Sequence, residues 1–375
     1  MNVEQLSLTQ DDWSEKLTSI SVDAHLFLLF VSPEFDATQH ILNFLNERFP
    51  NAIIIGCSTA GEISDVTVKD NTISLTAIHF EKTVLRKVSL KIDDMDRSYQ
   101  AGEDIGEQLN CKDLSHVMIL SEGLNANGSD LVLGLKSKLP HTSITGGLAA
   151  DGMRFEKTFL IDDNLIVNNY IVGLGFYGHD LLVGSSSRGG WDSLSLEREV
   201  TKSSKNVLYE LDGLPALEIY KSFIGREAQN LPSSGSLFPL SMRHNEKTTP
   251  LVRTILAVND DEQSITFSGN IIENSYVRLL KANMDRLIGG AEDSAICAKK
   301  NFDGACELAI LVSCVGRRMV LEQLIEEEVE VVREVLGSKP KIAGFYSYGE
   351  IAPFDECSVS ELHNQTMTIT ILSEC

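Results

Sequence analysis

The feature that most limits what this chain can fold into is a unit written three times along it. The first copy opens with "HLFLLFVSP" at His25, a short apolar run closed by proline, which reads as a strand. "ATQHILNFLNERF" follows from Ala37, with Ile41, Leu42, Leu45 and Phe49 at helical spacing. "AIIIG" then ends at Gly56, and "TISLTAIHF" from Thr72 reads as a further strand. The second copy runs through "HVMILSEG" at His116, "SDLVLGLKSKL" from Ser129, "SITGGLAADG" up to Gly152 and "NNYIVGLGFYG" from Asn168. The third has "CELAILVSC" at Cys306, a longer helix over "RRMVLEQLIEEEVEVVREVL", "KIAG" up to Gly344 and "QTMTITIL" from Gln365. His25 to Gly56 spans the same distance as His116 to Gly147. Each copy then carries a second glycine after a four-residue gap, at Gly61, Gly152 and Gly349.

This pattern predicts an α/β protein. Three pseudo-repeated strand, helix, strand, glycine-loop, strand units, over 25–80, 116–177 and 306–373, form mixed sheets, with a large insertion between units two and three. A strand–helix–strand unit cannot bury its sheet face alone, so the copies must pack together or share a sheet. They are too long and too few for a solenoid. Each glycine pair is expected to mark a strand end, and the loops to line a common cleft where open α/β sheets bind ligands. The insertion carries "LVRTILAVNDDEQSITFSGNI", a hairpin turning at Asn259 to Glu262, and "SSGSLFP" at Ser233 to Pro239 is the best linker. At 375 residues the chain is long for a single core. It divides into an N-terminal segment 1–23, a first domain 24–232 and a second domain 233–375.

The loops fail the common catalytic patterns. Gly56 and Gly61 have phosphate-loop spacing, but Glu62 stands where the lysine belongs, Glu350 follows Gly349, and Met153 follows Gly152. An acid there repels phosphate. "GCSTAG" puts two residues between Ser58 and the second glycine and so misses the serine-hydrolase elbow, as does "GSSSRG" at Gly184. Cys57 as a nucleophile would need a histidine nearby in space. No HExxH or HxxxH occurs, which leaves metalloenzyme chemistry without support. The chain therefore reads as non-catalytic. Glu62, Glu350 and Asp151 either lock tight turns by accepting backbone N–H bonds or point into a pocket and bind a ligand.

The formal charge of −22 disfavours nucleic acid and anionic membranes as partners. Seven cysteines without a CxxC give no zinc knuckle or redox pair, and no CxxCH offers covalent haem attachment. Most of them read as small buried hydrophobes in a reducing compartment. The polar N-terminus is not a signal peptide, and no apolar run is long enough to span a bilayer. A cytoplasmic protein without membrane insertion is the expectation.

"IIIGCSTAGEI", "SITGGLAADG", "GGWDSLSLEREVTKSSKNVLYELDGLPALEIY", "VRTILAVNDDEQSITFSG", "AGFYSYGEI" and "HNQTMTI" resemble, in order, the successive blocks of the FIST family of bacterial sensory proteins. The resemblance runs from Ala24 to Leu372. It implies a ligand sensor that feeds a signalling partner. In size and architecture the chain resembles the free-standing branch that binds haem b, senses nitric oxide and regulates a sensor histidine kinase. The alternative is a FIST sensor of a small metabolite such as an amino acid, and behind it an enzyme using Cys57 or Ser58. The matching loops nominate Cys57, Ser58, Thr59, Glu62, Gly147, Asp151, Tyr346, Ser347 and Glu350 for ligand binding. His363, beside the last strand of the third copy, is the first candidate for an axial haem ligand. His244, in a polar loop, is the second; cysteine or tyrosine are further iron ligands.

Overall fold

The apolar runs that open each copy are central strands, buried along their length. The computed structural model describes the chain apart from residues 246–248, 301, 303 and 355–357, so Cys357 lies outside the described residues. The first repeat is β1 (Asn2–Leu8), α1 (Trp13–Thr18), β2 (Leu26–Val31), α2 (Thr38–Arg48), β3 (Ile53–Ser58), a hairpin of β4 (Glu62–Ser64) and β5 (Thr67–Lys69), and β6 (Ile73–His79). The second follows the same order: β7 (Val84–Lys91), α3 (Ser98–Leu109), β8 (Leu114–Ser121), α4 (Gly128–Lys138), β9 (Ser143–Leu148), a hairpin of β10 (Leu160–Asp162) and β11 (Leu165–Val167), and β12 (Tyr170–Tyr177). The third opens with β13 (Leu181–Arg188), is interrupted, and resumes with α6 (Met284–Lys300) and β23 (Leu308–Cys314). It continues through α7 (Val315–Leu321), α8 (Glu327–Leu336), β24 (Lys341–Ser347), a hairpin of β25 (Gly349–Pro353) and β26 (Ser360–His363), and β27 (Met367–Glu374). The interruption holds β14 to β22, from Asp192 to Lys281, with α5 (Ala216–Ile224).

The insertion therefore falls inside the third repeat, and each repeat starts one strand earlier than its hydrophobic signature. β1, β7 and β13 pair antiparallel on the closing strands β6, β12 and β27. Residues 1–23 are thus built into the first sheet rather than standing apart from it. Ser233–Leu237, within the stretch read as a linker, forms a 3-10 turn with Ser234 and Gly235 buried. The hairpin turning at Asn259 is present, as β20 (Ile255–Asn259) paired on β21 (Ser264–Phe267). The long helix of the third repeat is broken at Glu322, where φ is 47°. The break folds α8 back so that buried Glu328 meets buried Arg317, Oε2 lying 3.0 Å from Nε and 2.7 Å from Nη2.

Among the described residues there are three six-stranded sheets and a nine-stranded one. Each six-stranded sheet has its two central strands parallel, β2–β3, β8–β9 and β23–β24. Its hairpin comes from another repeat. β4 pairs on β24, β10 on β3 and β25 on β9, a cyclic exchange that no repeat completes alone. Leu28, Phe30, Cys57, Met118, Val312 and Phe345 from all three repeats share one buried core. The Phe30 and Phe345 rings lie 4.6 Å apart there. Fully burying such side chains contributes about 1.5–3 kcal/mol each. The insertion packs around a separate core that includes Leu217, Tyr220 and Phe267.

The repeat glycines do not end their strands. Gly56 and Gly344 lie inside β3 and β24, opposite Leu29 and Leu311, and their counterpart opposite Ile119 is Gly146 rather than Gly147. A Cβ at Gly56, Gly146 or Gly344 would sit 2.0, 1.8 or 2.0 Å from the carbonyl oxygen of that opposing residue. Close backbone approach between parallel strands, not a turn, demands glycine here. Gly56→Ala, Gly146→Ala and Gly344→Ala should each destabilise the chain by about 1–3 kcal/mol or more. Gly289→Ala, with nothing within 4 Å of the added carbon, should be neutral or stabilising by up to about 1 kcal/mol. Denaturant midpoints check this, and three unchanged midpoints would refute the close-approach account.

Candidate functional site

The nominated loop residues lie beneath the surface. Glu62 begins the exchanged hairpin of the first repeat and accepts from the Thr59 hydroxyl and from Thr72, at 3.2 Å from its N–H and 2.8 Å from its Oγ1. Glu350 holds the equivalent place in the third repeat. It accepts from Ser347 Oγ at 2.7 Å and from Thr366, at 3.2 Å from N–H and 3.0 Å from Oγ1. Each carboxyl clips the base of the hairpin excursion to the strand that follows. Burial pushes Glu62 up to about 7 and Glu350 to about 8, against the hydrogen bonds that favour the charged form. Of the two readings of these acids, turn-locking is the one their partners fit.

The other nominees are likewise placed in the framework. The Cys57 thiol is buried in the shared core and raised well above its ordinary range by desolvation. Ser58 Oγ accepts from the Phe159 N–H at 3.0 Å. Gly147 faces Glu350 across the β9–β25 pair. The Tyr346 hydroxyl donates to buried Glu328. Asp151 accepts from the N–H groups of Phe155, Glu156 and Lys157, at 2.9, 2.9 and 2.8 Å, and from the Tyr348 hydroxyl. It caps the turn that carries Met153 and Phe155.

The histidines gather at no single site; His25 and His79 stack with ring centroids 4.4 Å apart, away from His363, His244 and His116. His363 is buried in β26, and its Nε2 stands 2.9 Å from the Ala352 carbonyl. Burial, with Arg253 and Arg188 adding to it, pushes His363 down to about 4. His244 is exposed in the insertion. His116, which opens the second copy, is buried within β8 beside Thr145, and burial lowers it to about 4.

A cavity of about 450 Å³ opens above these locks, where β8, β9 and β23 end. Its floor comes from the second and third repeats, with Leu124, Ala126, Leu148, Val315 and Tyr348. Met153 and Phe155 form one wall, and Phe155 stacks on Tyr348 with ring centroids 4.4 Å apart. The insertion supplies the roof: Ile255, Leu256 and Phe267, together with Asn206, Ser236, Thr254 and Ser268. Such an apolar pocket with a few polar groups, at strand ends, is where a small organic ligand binds. None of the residues nominated from the sequence lines it. The glycine loops of repeats two and three approach it, and that of repeat one does not. Tyr348 lies inside a quoted block and Phe155 three residues beyond one, yet no periodicity marks either of them. Only the roof's hairpin had a sequence signal.

Neither His363 nor His244 lines this cavity, and among the described residues its wall carries no cation for haem propionates. Axial-ligand types on the wall are Cys314, Met95, Met153 and Tyr348, the last with its hydroxyl directed to Asp151. The wall does not fit a histidine-ligated haem. Among the described residues there is no cluster of three or more His, Cys, Asp or Glu side chains that could hold a metal ion. No described helix is long and apolar enough to cross a membrane.

Fold and cavity together define a ligand-binding α/β protein. The FIST N domain family model matches residues 25–214 and the FIST C domain model residues 216–353. The chain belongs to the FIST family, whose domains are sensory and ligand-binding. The two matches meet inside the insertion, at the start of α5, rather than at a repeat boundary. An uncharacterized protein of Methanocaldococcus jannaschii is 23% identical over 360 residues, covering 84% of this chain and 67% of that protein. A cyanuric acid hydrolase from A. caulinodans aligns over 99% of each chain at 8% identity, with a TM-score of 0.38.

Both raised carboxyls bind their protons more tightly in the folded chain than in the unfolded one. Their contribution to stability is therefore complete below about pH 4.5 and is lost as pH rises through about 7 for Glu62 and about 8 for Glu350. Glu62→Gln and Glu350→Gln should gain on the parent between pH 5 and 8, with a slope of up to about 1.4 kcal/mol per pH unit for each group. Urea unfolding across that range reads it, and parallel profiles for parent and variants would contradict it.

Proposed function

We propose that this chain is a non-catalytic cytoplasmic sensor that binds a small metabolite between its second and third repeats and its insertion, and passes that state to a signalling partner such as a sensor histidine kinase. The observation that carries the reading is the cavity itself. Its floor and roof belong to parts with separate cores, so a ligand that fills it ties the insertion to the repeats and favours one arrangement of the two. That differential contact is what a sensor needs in order to signal.

The haem and nitric-oxide form of the reading rests on resemblance to one branch of the family. His363 has its Nε2 engaged by a carbonyl, and His244 stands away from the cavity wall. The metabolite form is therefore the better supported. An enzyme reading is weaker still, because Cys57 is held protonated in the core and Ser58 accepts from the backbone.

Thermal-shift screening against small metabolites should yield a compound that raises the melting temperature and loses its effect in Leu256→Trp, which fills the rim. The same compound should change the autophosphorylation of a partner kinase. Haem titration of the wild type should give no stoichiometric Soret band that disappears in His363→Ala or His244→Ala. Such a band, with a nitrosyl spectrum and kinase output that follows it, would replace the metabolite reading with the haem one. A screen without a rim-sensitive compound would count against both the cavity and the sensor.

A further inference from the structure

The three repeats create three related crevices, each between the loop after one repeat's first central strand and the hairpin excursion of the next. In the crevice between repeats three and one, Arg318 of α7 reaches the Ala60 carbonyl and pairs with Asp70 through Nη1 and Nη2, at 2.8 and 2.6 Å. In the crevice between repeats one and two, Arg154 pairs with Glu34 beside Asp36, Glu156 and Lys157. The third crevice, between repeats two and three, is the cavity described above. Among the described residues, no side chain lining it is charged at neutral pH.

From this contrast we infer that the ligand is an uncharged, amphipathic small molecule. The inference rests on the cavity being the sensory site. A carboxylate, phosphate or ammonium group taken from water into this wall would meet no counter-ion, and the desolvation penalty would go uncompensated. Charges stand one layer back and are already engaged: Glu122 accepts from the Leu124 and Asn125 N–H groups, and Arg317, beside Gly316, pairs with Glu328. Asp151 accepts from three backbone N–H groups and the Tyr348 hydroxyl. Arg253 is buried next to Thr254, with Nε directed to the Asn270 carbonyl and Nη1 to those of Val252 and Leu362. Both signs are represented behind the wall and each group has its own partners, so neither sign of ligand charge is offered a free counter-ion.

The wall also orients the molecule. Its serine and threonine hydroxyls, from Ser233, Ser236, Thr254 and Ser268, come from the roof and can each donate or accept, whereas the Tyr348 hydroxyl is directed to Asp151. The aromatic and aliphatic surface, from Leu124, Leu148, Phe155, Val315 and Tyr348, lies on the repeat side. Asn127 is the polar exception on the floor. Its Oδ1 caps α4 through Ser129 and Asp130, and its Nδ2 donates to Asn270. The ligand presents a neutral hydrogen-bonding edge to the insertion and an apolar face to the repeats. Free amino acids, with both charges, are excluded by the same wall.

Indole-3-acetamide, indole-3-acetate and tryptamine share a bicyclic body of suitable size and differ in charge, so they serve as probes in calorimetric titration and thermal shift. The neutral amide should bind the wild-type protein at least ten-fold more tightly than either charged congener. Leu256→Lys places a cation on the rim at a side chain that is 45% exposed, where folding is not at stake. It should move the preference at least several-fold toward the acetate. Equal or tighter binding of the acetate or tryptamine by the wild type, with a response to Leu256→Lys, would keep the ligand site and overturn its neutrality. Binding indifferent to Leu256→Lys would place the probes elsewhere and overturn the inference. No saturable binding by any of the three would overturn it together with the cavity reading.

Discussion

Everything in this molecule depends on the exchange of hairpins between repeats. A sheet of four strands, β1–β6–β2–β3 in the first repeat, leaves the backbone groups along the far side of β3 without partners. They are met by β10 from the second repeat, whose own β9 is met by β25 from the third, whose β24 is met by β4 from the first. The cycle closes, so each repeat is both donor and acceptor. The shared apolar core around Phe30, Met118 and Phe345 follows, because the exchange brings the inner faces of all three sheets against one another.

Closing such a cycle requires each hairpin to leave its strand at a fixed angle. In repeats one and three a buried glutamate does this with one hydroxyl from the residue three before it and two donors from a threonine further on. The second repeat uses a different clip. Asp151 gathers the N–H groups of a longer excursion, and Met153 and Phe155 ride on it. The departure from threefold likeness therefore makes the cavity. Where the repeats agree the space is taken up by framework, and where the second departs a wall remains that a ligand can meet. The insertion, entering inside the third repeat, lies over that same departure.

This division explains why two of the three candidate loops approach the cavity while the side chains they nominate do not line it. Glycine followed by acid is a strong local signal, because close strand approach and a carboxylate clip each demand particular residues. Those demands are structural, so Glu62, Glu350, Cys57 and Tyr346 stand out in the sequence and are buried in the fold. A neutral apolar pocket makes no such demand at any one position. Leu124, Val315, Leu256 and Phe267 look like any other hydrophobic residues until the chain brings them together.

The sequence by itself determined the α/β class, the three units, the hairpin in the insertion and membership of the FIST family, because these rest on periodicity, turn chemistry and ordered blocks within short stretches. Tertiary structure alone decided that β1, β7 and β13 belong to the repeats, since each is recognisable only by the closing strand it pairs with. It also decided that His363 is turned to a carbonyl, that Gly146 and not Gly147 carries the close approach, and that the cavity lies between repeats two and three. All of these are contacts between residues far apart in the chain, and local pattern carries no record of which distant backbone, carbonyl or roof a residue will meet.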